Sequence, residues 1–434
     1  MLTMNLWADF ENDNQHAPVE SARHKARARL TEQVILSSIR KWLLQDYASS
    51  YCRALGAMRI YRRCYWIDGW GVGGGAVRAN MNGDAGSGKV RKKDGTSLMP
   101  PILQPIVALA QLLAQENRPI ALNGIVLEAG SSRRKDVRVV GAVSQNVNVD
   151  SKNTLTLPKE SGLVRGSWLE VAPVLLKEIG HSPAIFLLNP FGQTLFSYDD
   201  LALLYQRTAA PTELCLLIPH KQVEMRLLTA ARAATGAMAL TALLRTDRWK
   251  MCLSKEGEME QRQRQGVDGV VDLLVSSVQQ HFLWVQQIAL SVQVGPAVVE
   301  TAPYTLLFAT RSKDSLASMN DAVCVYQRRL AMQSRQGVLG EEWFAAQEKE
   351  RMDEDVQQLY ERTLQLGQAQ RARRWPDLRQ QLLLANFGKL MLHEYDEVIG
   401  KLLRNGDVRC EWRRRGVEDE ALRVPGNDDT LFWK

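Results

Sequence analysis

At 434 residues, with 45% hydrophobic and 24% charged residues, the chain has an ordinary globular composition and enough length for two or three cores. No apolar stretch reaches the roughly 18 to 20 uncharged residues that a membrane helix needs. The start, MLTMNLWADFENDNQH, carries acids where a secretory signal would have a basic region and an apolar core, so a cytoplasmic protein with no membrane partner is expected.

The formal charge is +7, and the basic residues cluster in HKARAR (24–29), KVRKK (89–93), RARR (371–374) and RRR (413–415). Such clusters suit phosphate contacts and make nucleic acid the expected partner. The six cysteines, at 52, 64, 215, 252, 324 and 410, form no CxxC pair and have no His at a common zinc spacing. Neither a structural metal nor a disulfide is therefore expected.

In chain order, residues 19–55 predict one or two helices, with Leu30, Val34, Ile35, Ile39, Trp42 and Leu43 at helical spacing. A short strand, Tyr65-Trp66-Ile67, ends at Asp68 and runs into the glycine-rich Gly69-Trp70-Gly71-Val72-Gly73-Gly74-Gly75 and a polar loop over 76–97. Pro100 and Pro101 open a helix to about Leu113. A strand follows from Asn123 to Glu128, then a polar loop, a short strand at Leu163-Val164 and a helix from Trp168 to Glu178. The apolar run Ala184 to Leu188, ending in Asn189-Pro190-Phe191-Gly192, is typical of a parallel strand buried on both faces. A helix over Tyr198 to Arg207 and a strand over Glu213 to Ile218 complete an alternation that predicts an α/β, doubly wound Rossmann-like sheet.

Residues 221–295 read as a mostly helical insertion, Tyr304 to Ala309 as a late strand and Ser315 to Val325 as a helix. The charged stretch 331–376 predicts a solvated helical linker. Over 377–434, two helices, a Gly406-Asp407 turn and two short strands give the order of a winged-helix-like domain. The expected division is an N-terminal helical segment (1–55), the Rossmann domain (56–330), the linker (331–376) and the winged-helix-like domain (377–434).

Ligands of doubly wound sheets bind at the carboxyl ends of adjacent strands, and three features fall there. Asp68 precedes glycines that would let a ligand approach the backbone. Glu128 ends the next strand, placed to accept from a ribose diol. Asn189 and the following carbonyl are suited to accept from an exocyclic amine, with Phe191 to stack on a flat base.

In this order the segments resemble the three-Cys-motif partner protein family. Its marks are Tyr-x-Asp-x-Phe-Ala-Gly-x-Gly, an acid ending the next strand, Asp-Pro-Phe-Gly, and a strand running into Ala-Thr-Arg before a Met-Asn helix. The corresponding segments here are Trp66 to Gly74, Val126-Leu127-Glu128, Leu188 to Gly192, and Leu307 to Arg311 leading to Met319-Asn320-Asp321. The resemblance implies a class I methyltransferase-type fold, with S-adenosylmethionine held by Asp68, Gly71, Gly74 and Glu128. Asn189, Pro190 and Phe191 would then form the catalytic turn for methylation of a base amine. Val72 replaces the first glycine of the family's loop, Asn189 replaces its Asp, and Ser167 stands where an acid would hold the adenine amine. The alternative is a non-catalytic nucleic-acid-binding or scaffold subunit serving a three-Cys-motif protein, in a mobile-element or phage-related setting such as phage defence.

Weaker signals complete the pass. Gly83 to Val90 nearly matches a phosphate-binding loop but puts Val90 where the magnesium-ligating hydroxyl belongs. His181 and His220 flank the sheet as structural residues or bases. Arg311 is a candidate either to reach the cleft or to form a salt bridge. Trp412 with Arg413, Arg414 and Arg415 would place an aromatic and three cations on the wing, against a phosphate backbone or solvent.

Overall fold

The computed structural model describes residues 32–72, 101–128, 139–141, 146–147, 161–253, 259–295, 298–333, 341–413 and 423–434. The chain divides into two compact units, Met1–Ser291 with Thr301–Ser312, and Val292–Glu300 with Lys313–Lys434.

The first unit begins with α1 (Glu32–Trp42), a π-helical turn (Leu43–Ala48) and α2 (Ser49–Met58). The strands of the sheet are β1 (Arg63–Val72), β2 (Ala121–Glu128), β3 (Val139–Gly141), β4 (Asn146–Val147), β5 (Gly162–Arg165), β6 (Ala184–Leu188), β7 (Thr212–Pro219), β8 (Trp284–Gly295) and β9 (Val298–Thr310), the end of β8 and the start of β9 belonging to the second unit. Among the described residues these form one nine-stranded sheet in the order β4-β3-β5-β2-β1-β6-β7-β9-β8. The pairs from β5 through β2, β1 and β6 to β7 are parallel. β9 returns antiparallel to β7, and β3 is antiparallel to β5. Only two residues separate β8 from β9, too few for a parallel crossover.

Parallel strands in the middle of such a sheet must be covered on both faces. Every residue of β6 and β7 is buried, including Thr212 and Glu213, which precede the apolar run of β7. On one face Tyr65, Ile67, Ile125 and Val164 join a cluster with α4 (Trp168–Ile179), α5 (Tyr198–Tyr205), α6 (His220–Arg232), α7 (Ala234–Leu244) and α8 (Met259–Gln279). On the other lie α1, α2 and α3 (Gln104–Ala114): α3 packs on β2, and the Tyr47 ring meets Phe308 of β9 edge-on at 5.3 Å.

The structure corrects three expectations for this unit. β1 does not stop at Asp68 but runs on to Val72 with a register shift between those residues, so the start of the glycine-rich segment is strand. The region read as mostly helical over 221–295 ends in a strand that was not expected, β8, where Ile288, Leu290 and Val292 are buried at period two. Two short strands, β3 and β4, lie where a loop is predicted.

The second unit contains α9 (Lys313–Gln333), α10 (Glu341–Gln370), α11 (Trp375–Ala385), α12 (Leu392–Asn405) and an antiparallel pair, β10 (Val408–Glu411) and β11 (Thr430–Trp433). The boundary between the units thus lies at the start of α9, between Ser312 and Lys313, rather than at 330. The 331–376 stretch is α10 for most of its length, and it is a packed member of the unit: Leu359 and Thr363 are buried, and the helix packs on α12.

Polar side chains fix the turn between α11 and α12. Asn320, fully buried, donates Nδ2 to Leu390 O (2.8 Å) and accepts the Gly388 N–H (2.8 Å), while Asp321 Oδ1 accepts the Leu392 N–H (2.8 Å). Arg328 grips Glu394, and Arg379 grips Asp396, through paired contacts of 2.7–2.9 Å.

The hairpin meets α10 where Gly367 lies under the Trp433 ring. A Cβ there would stand 2.4 Å from Trp433 Cε2. Gly367→Ala should therefore destabilise the unit by about 1–3 kcal/mol in chemical denaturation. Gly400→Ala on α12 meets nothing closer than the Arg404 side chain at 3.5 Å and should stabilise by up to about 1 kcal/mol, from helix propensity.

Candidate functional site

The carboxyl edge of the parallel strands is where a cofactor would sit, and strand register places each expected residue along it. Asp68 pairs with Val126 of β2 and Leu187 of β6. Glu128 pairs with Val72 on one side and Arg165 on the other. Asn189 follows the last residue of β6. The positions expected to meet do fall on three adjacent strands, but Asp68 lies a pleat deeper than Val72 and Glu128.

Asp68 is 1% exposed, and such a carboxylate needs compensation. Arg40 of α1 supplies it: Nε donates to Oδ2 at 2.5 Å and Nη2 to Oδ1 at 3.2 Å. The Trp70 N–H adds a bond to Oδ1 at 3.1 Å. Asp68 therefore anchors the helical face of the sheet. Gly69 also has a packing role, because a Cβ there would lie 2.3 Å from Leu188 and 3.4 Å from Trp168. Gly71 is in β1, while Gly74 and the near phosphate loop at Gly83 to Val90 lie outside the described residues.

The Asn189 turn is likewise occupied by its own chain. Asn189 Oδ1 accepts the Phe191 N–H (3.0 Å), its carbonyl accepts the Gly192 N–H (3.4 Å), and Pro190 O accepts the Phe196 N–H (3.0 Å). Two α6 residues that no sequence motif singles out latch the turn from outside. Asn189 Nδ2 donates to Gln222 Oε1 at 2.8 Å, and Arg226 donates to the carbonyls of Gly192 and Gln193. Gln222 and Arg226 stand four apart on the helix that follows β7, the spacing of one helix face. Phe191 is 1% exposed within the core cluster, so its ring has no face for a base. Ser167 caps α4, its N–H held by Glu170 Oε2 at 2.9 Å.

His220 opens α6 and bonds Thr305 Oγ1 through Nε2 (2.8 Å); burial lowers its pKa. His181 is exposed beside the turn after α4. Because β9 runs antiparallel, Arg311 lies at the opposite edge from the cleft. It forms no ion pair with a carboxylate among the described residues: Nε donates to His281 O (3.1 Å), Nη2 donates to Tyr205 O (3.0 Å), and the guanidinium covers Phe282 at 4.2 Å. At that same edge burial pulls Arg207 down to about 10, and buried Glu213 accepts the Tyr47 hydroxyl (3.1 Å). Burial first, then Glu213, raises the Tyr47 pKa well above its ordinary value.

On the second unit's hairpin, Arg413 is exposed, its N–H bonded to Asp429 Oδ1 at 3.0 Å, and Arg423 covers the Trp412 ring at 4.5 Å. Arg414 and Arg415 lie outside the described residues. Among the described residues no group of three or more His, Cys, Asp or Glu is placed to hold a metal, and no helix is long and apolar enough to cross a membrane.

These features define an α/β protein with a mostly parallel, Rossmann-like sheet whose carboxyl edge is engaged by its own helices. No family model, curated protein or solved structure matches the chain.

Removing one member of a buried ion pair leaves the other uncompensated. Arg40→Met should cost about 3–5 kcal/mol in urea denaturation, and the Arg40→Met/Asp68→Leu double variant should regain most of that loss.

Proposed function

We propose that this chain is a methyltransferase-like protein of the three-Cys-motif partner type that works as a non-catalytic, nucleic-acid-binding subunit. The observation that carries this is the closed Asn189 turn. Methylation of a base amine needs outward-facing acceptors and an aromatic face for the base. Here Asn189 Oδ1 and Pro190 O accept backbone N–H groups of the same turn, and Phe191 is in the core. Turning Phe191 outward would forfeit roughly 1.5–3 kcal/mol of burial before any base was bound. Of the residues expected to hold S-adenosylmethionine, Asp68 has its carboxylate already engaged by Arg40 and the Trp70 N–H.

Likeness to a methyltransferase rests on strand order. Numbered along the chain, the seven strands β1, β2, β5, β6, β7, β8 and β9 lie in the order 3-2-1-4-5-7-6 with the seventh antiparallel, as a class I methyltransferase sheet would. Nucleic acid is favoured by the basic clusters and by the helix, helix, hairpin sequence of α11, α12, β10 and β11, a winged-helix-like order. The second reading, S-adenosylmethionine-dependent methylation, is favoured by the presence of Asp68, Glu128 and Asn189 on three adjacent strands of one sheet.

Calorimetry with S-adenosylmethionine separates the two. No heat of binding is expected from the folded full-length protein, which should nevertheless bind a labelled duplex. Micromolar cofactor binding that disappears in Glu128→Ala would overturn the non-catalytic role.

A further inference from the structure

We infer that residues Arg371–Arg374, the strap between α10 and α11, grip the sugar-phosphate backbone of duplex nucleic acid. The inference rests on the nucleic-acid role proposed above and assigns its contact surface. Arg371, Arg373 and Arg374 are exposed and line a cleft of about 280 Å³. None of the three guanidinium groups pairs with a carboxylate of the described residues. Asp377 is the one acid among the described residues lining the cleft, and Lys313 Nζ stands 3.8 Å from its carboxylate. Three unpaired cations within four residues repel one another, and a polyanion relieves that repulsion while releasing its counterions.

The strap is rigid. The Ala372 N–H donates to Gly367 O (3.0 Å), Trp433 Nε1 donates to Ala372 O (2.6 Å), and the Leu431 N–H donates to Arg373 O (2.8 Å). Arg371 is held at φ +49°, a left-handed conformation that L side chains rarely adopt. The arginines are therefore presented on fixed backbone beside the hairpin that carries Arg413 and the Arg423–Trp412 stack. A rigid row of planar guanidinium forks suits phosphate oxygens.

Helix α12, which a winged-helix comparison would send into the groove, exposes Glu397 together with His393, Lys401 and Arg404. Its charge is mixed, so the strap and hairpin carry the grip.

The experiment is fluorescence anisotropy of a short labelled duplex with full-length protein across a salt series. In the Arg371→Gln/Arg373→Gln/Arg374→Gln variant, affinity should fall roughly tenfold or more, and the log–log salt slope should flatten by about 0.9 for each phosphate no longer neutralised. The corresponding triple Lys variant should restore most of the slope. Arg232→Gln, an exposed charge on α6, should change neither. Wild-type protein that binds no duplex would sink the proposed function and this assignment together. Wild-type binding with an unaltered triple Gln variant would sink the assignment alone. Stronger binding of polyglutamate than of duplex, abolished in the triple Gln variant, would reassign the strap to an acidic protein segment and overturn the nucleic-acid assignment.

Discussion

Asp68 sits on the central strand of the first unit with a carboxylate that water hardly reaches, and Arg40 is the group that makes this tolerable. Such a pair contributes little net stability, because desolvation of both ions offsets most of their attraction. Its effect is positional. Seven residues further along the same helical segment, Tyr47 bonds Glu213 on β7, so the segment is latched to the sheet on β1 and again on β7. About 10 Å of helix thus crosses β1, β6 and β7 with one polar contact near each end and Trp42, Leu43 and Leu44 buried between them. The π-helical turn at Leu43–Ala48 keeps those side chains on the buried face.

That docking decides what the carboxyl edge offers. A Rossmann-type edge ordinarily presents a carboxylate to a ligand; here the carboxylate is turned to a helix, and Gly69 beside it packs against Leu188 and Trp168. One strand over, the Asn189 turn closes through Phe191, Gly192 and Phe196 and is fastened from outside by Gln222 and Arg226. Opening it would break several of these bonds at once, each worth about 1 kcal/mol net, in addition to exposing Phe191. The polar side chains of Asp68 and Asn189 are thus satisfied by the protein itself.

Much of the sheet was legible because parallel strands buried on both faces read as short apolar runs bounded by turn residues, as AIFLL and the run from Glu213 to Ile218 do. Chain direction left no such trace, since an apolar run reads the same either way, and that is why the cleft stayed open as one of two readings of Arg311. The alternation of Ile288, Leu290 and Val292 was present in the sequence, but the polar residues between them blend with the helical stretch before them. The partners of Asp68 and Asn189 come from residues 40, 222 and 226. Contacts that distant along the chain leave no periodicity to read. The charged face of α10 concealed a narrow buried stripe at Leu359 and Thr363.

Five of the residues that carry the family resemblance share one property. Asp68 holds a helix, Gly69 clears space for Leu188, Asn189 shapes a turn, and Asn320 and Asp321 pin the connection between α11 and α12. Each is fixed by internal geometry, so a motif built from them can persist wherever the fold persists, whether or not chemistry does. Motif likeness of this kind is a statement about architecture, and function has to be argued from groups that the fold leaves unspent. Among the described residues the densest such group is the strap of arginines at 371–374, whose backbone the hairpin holds rigid while its charges go unmatched.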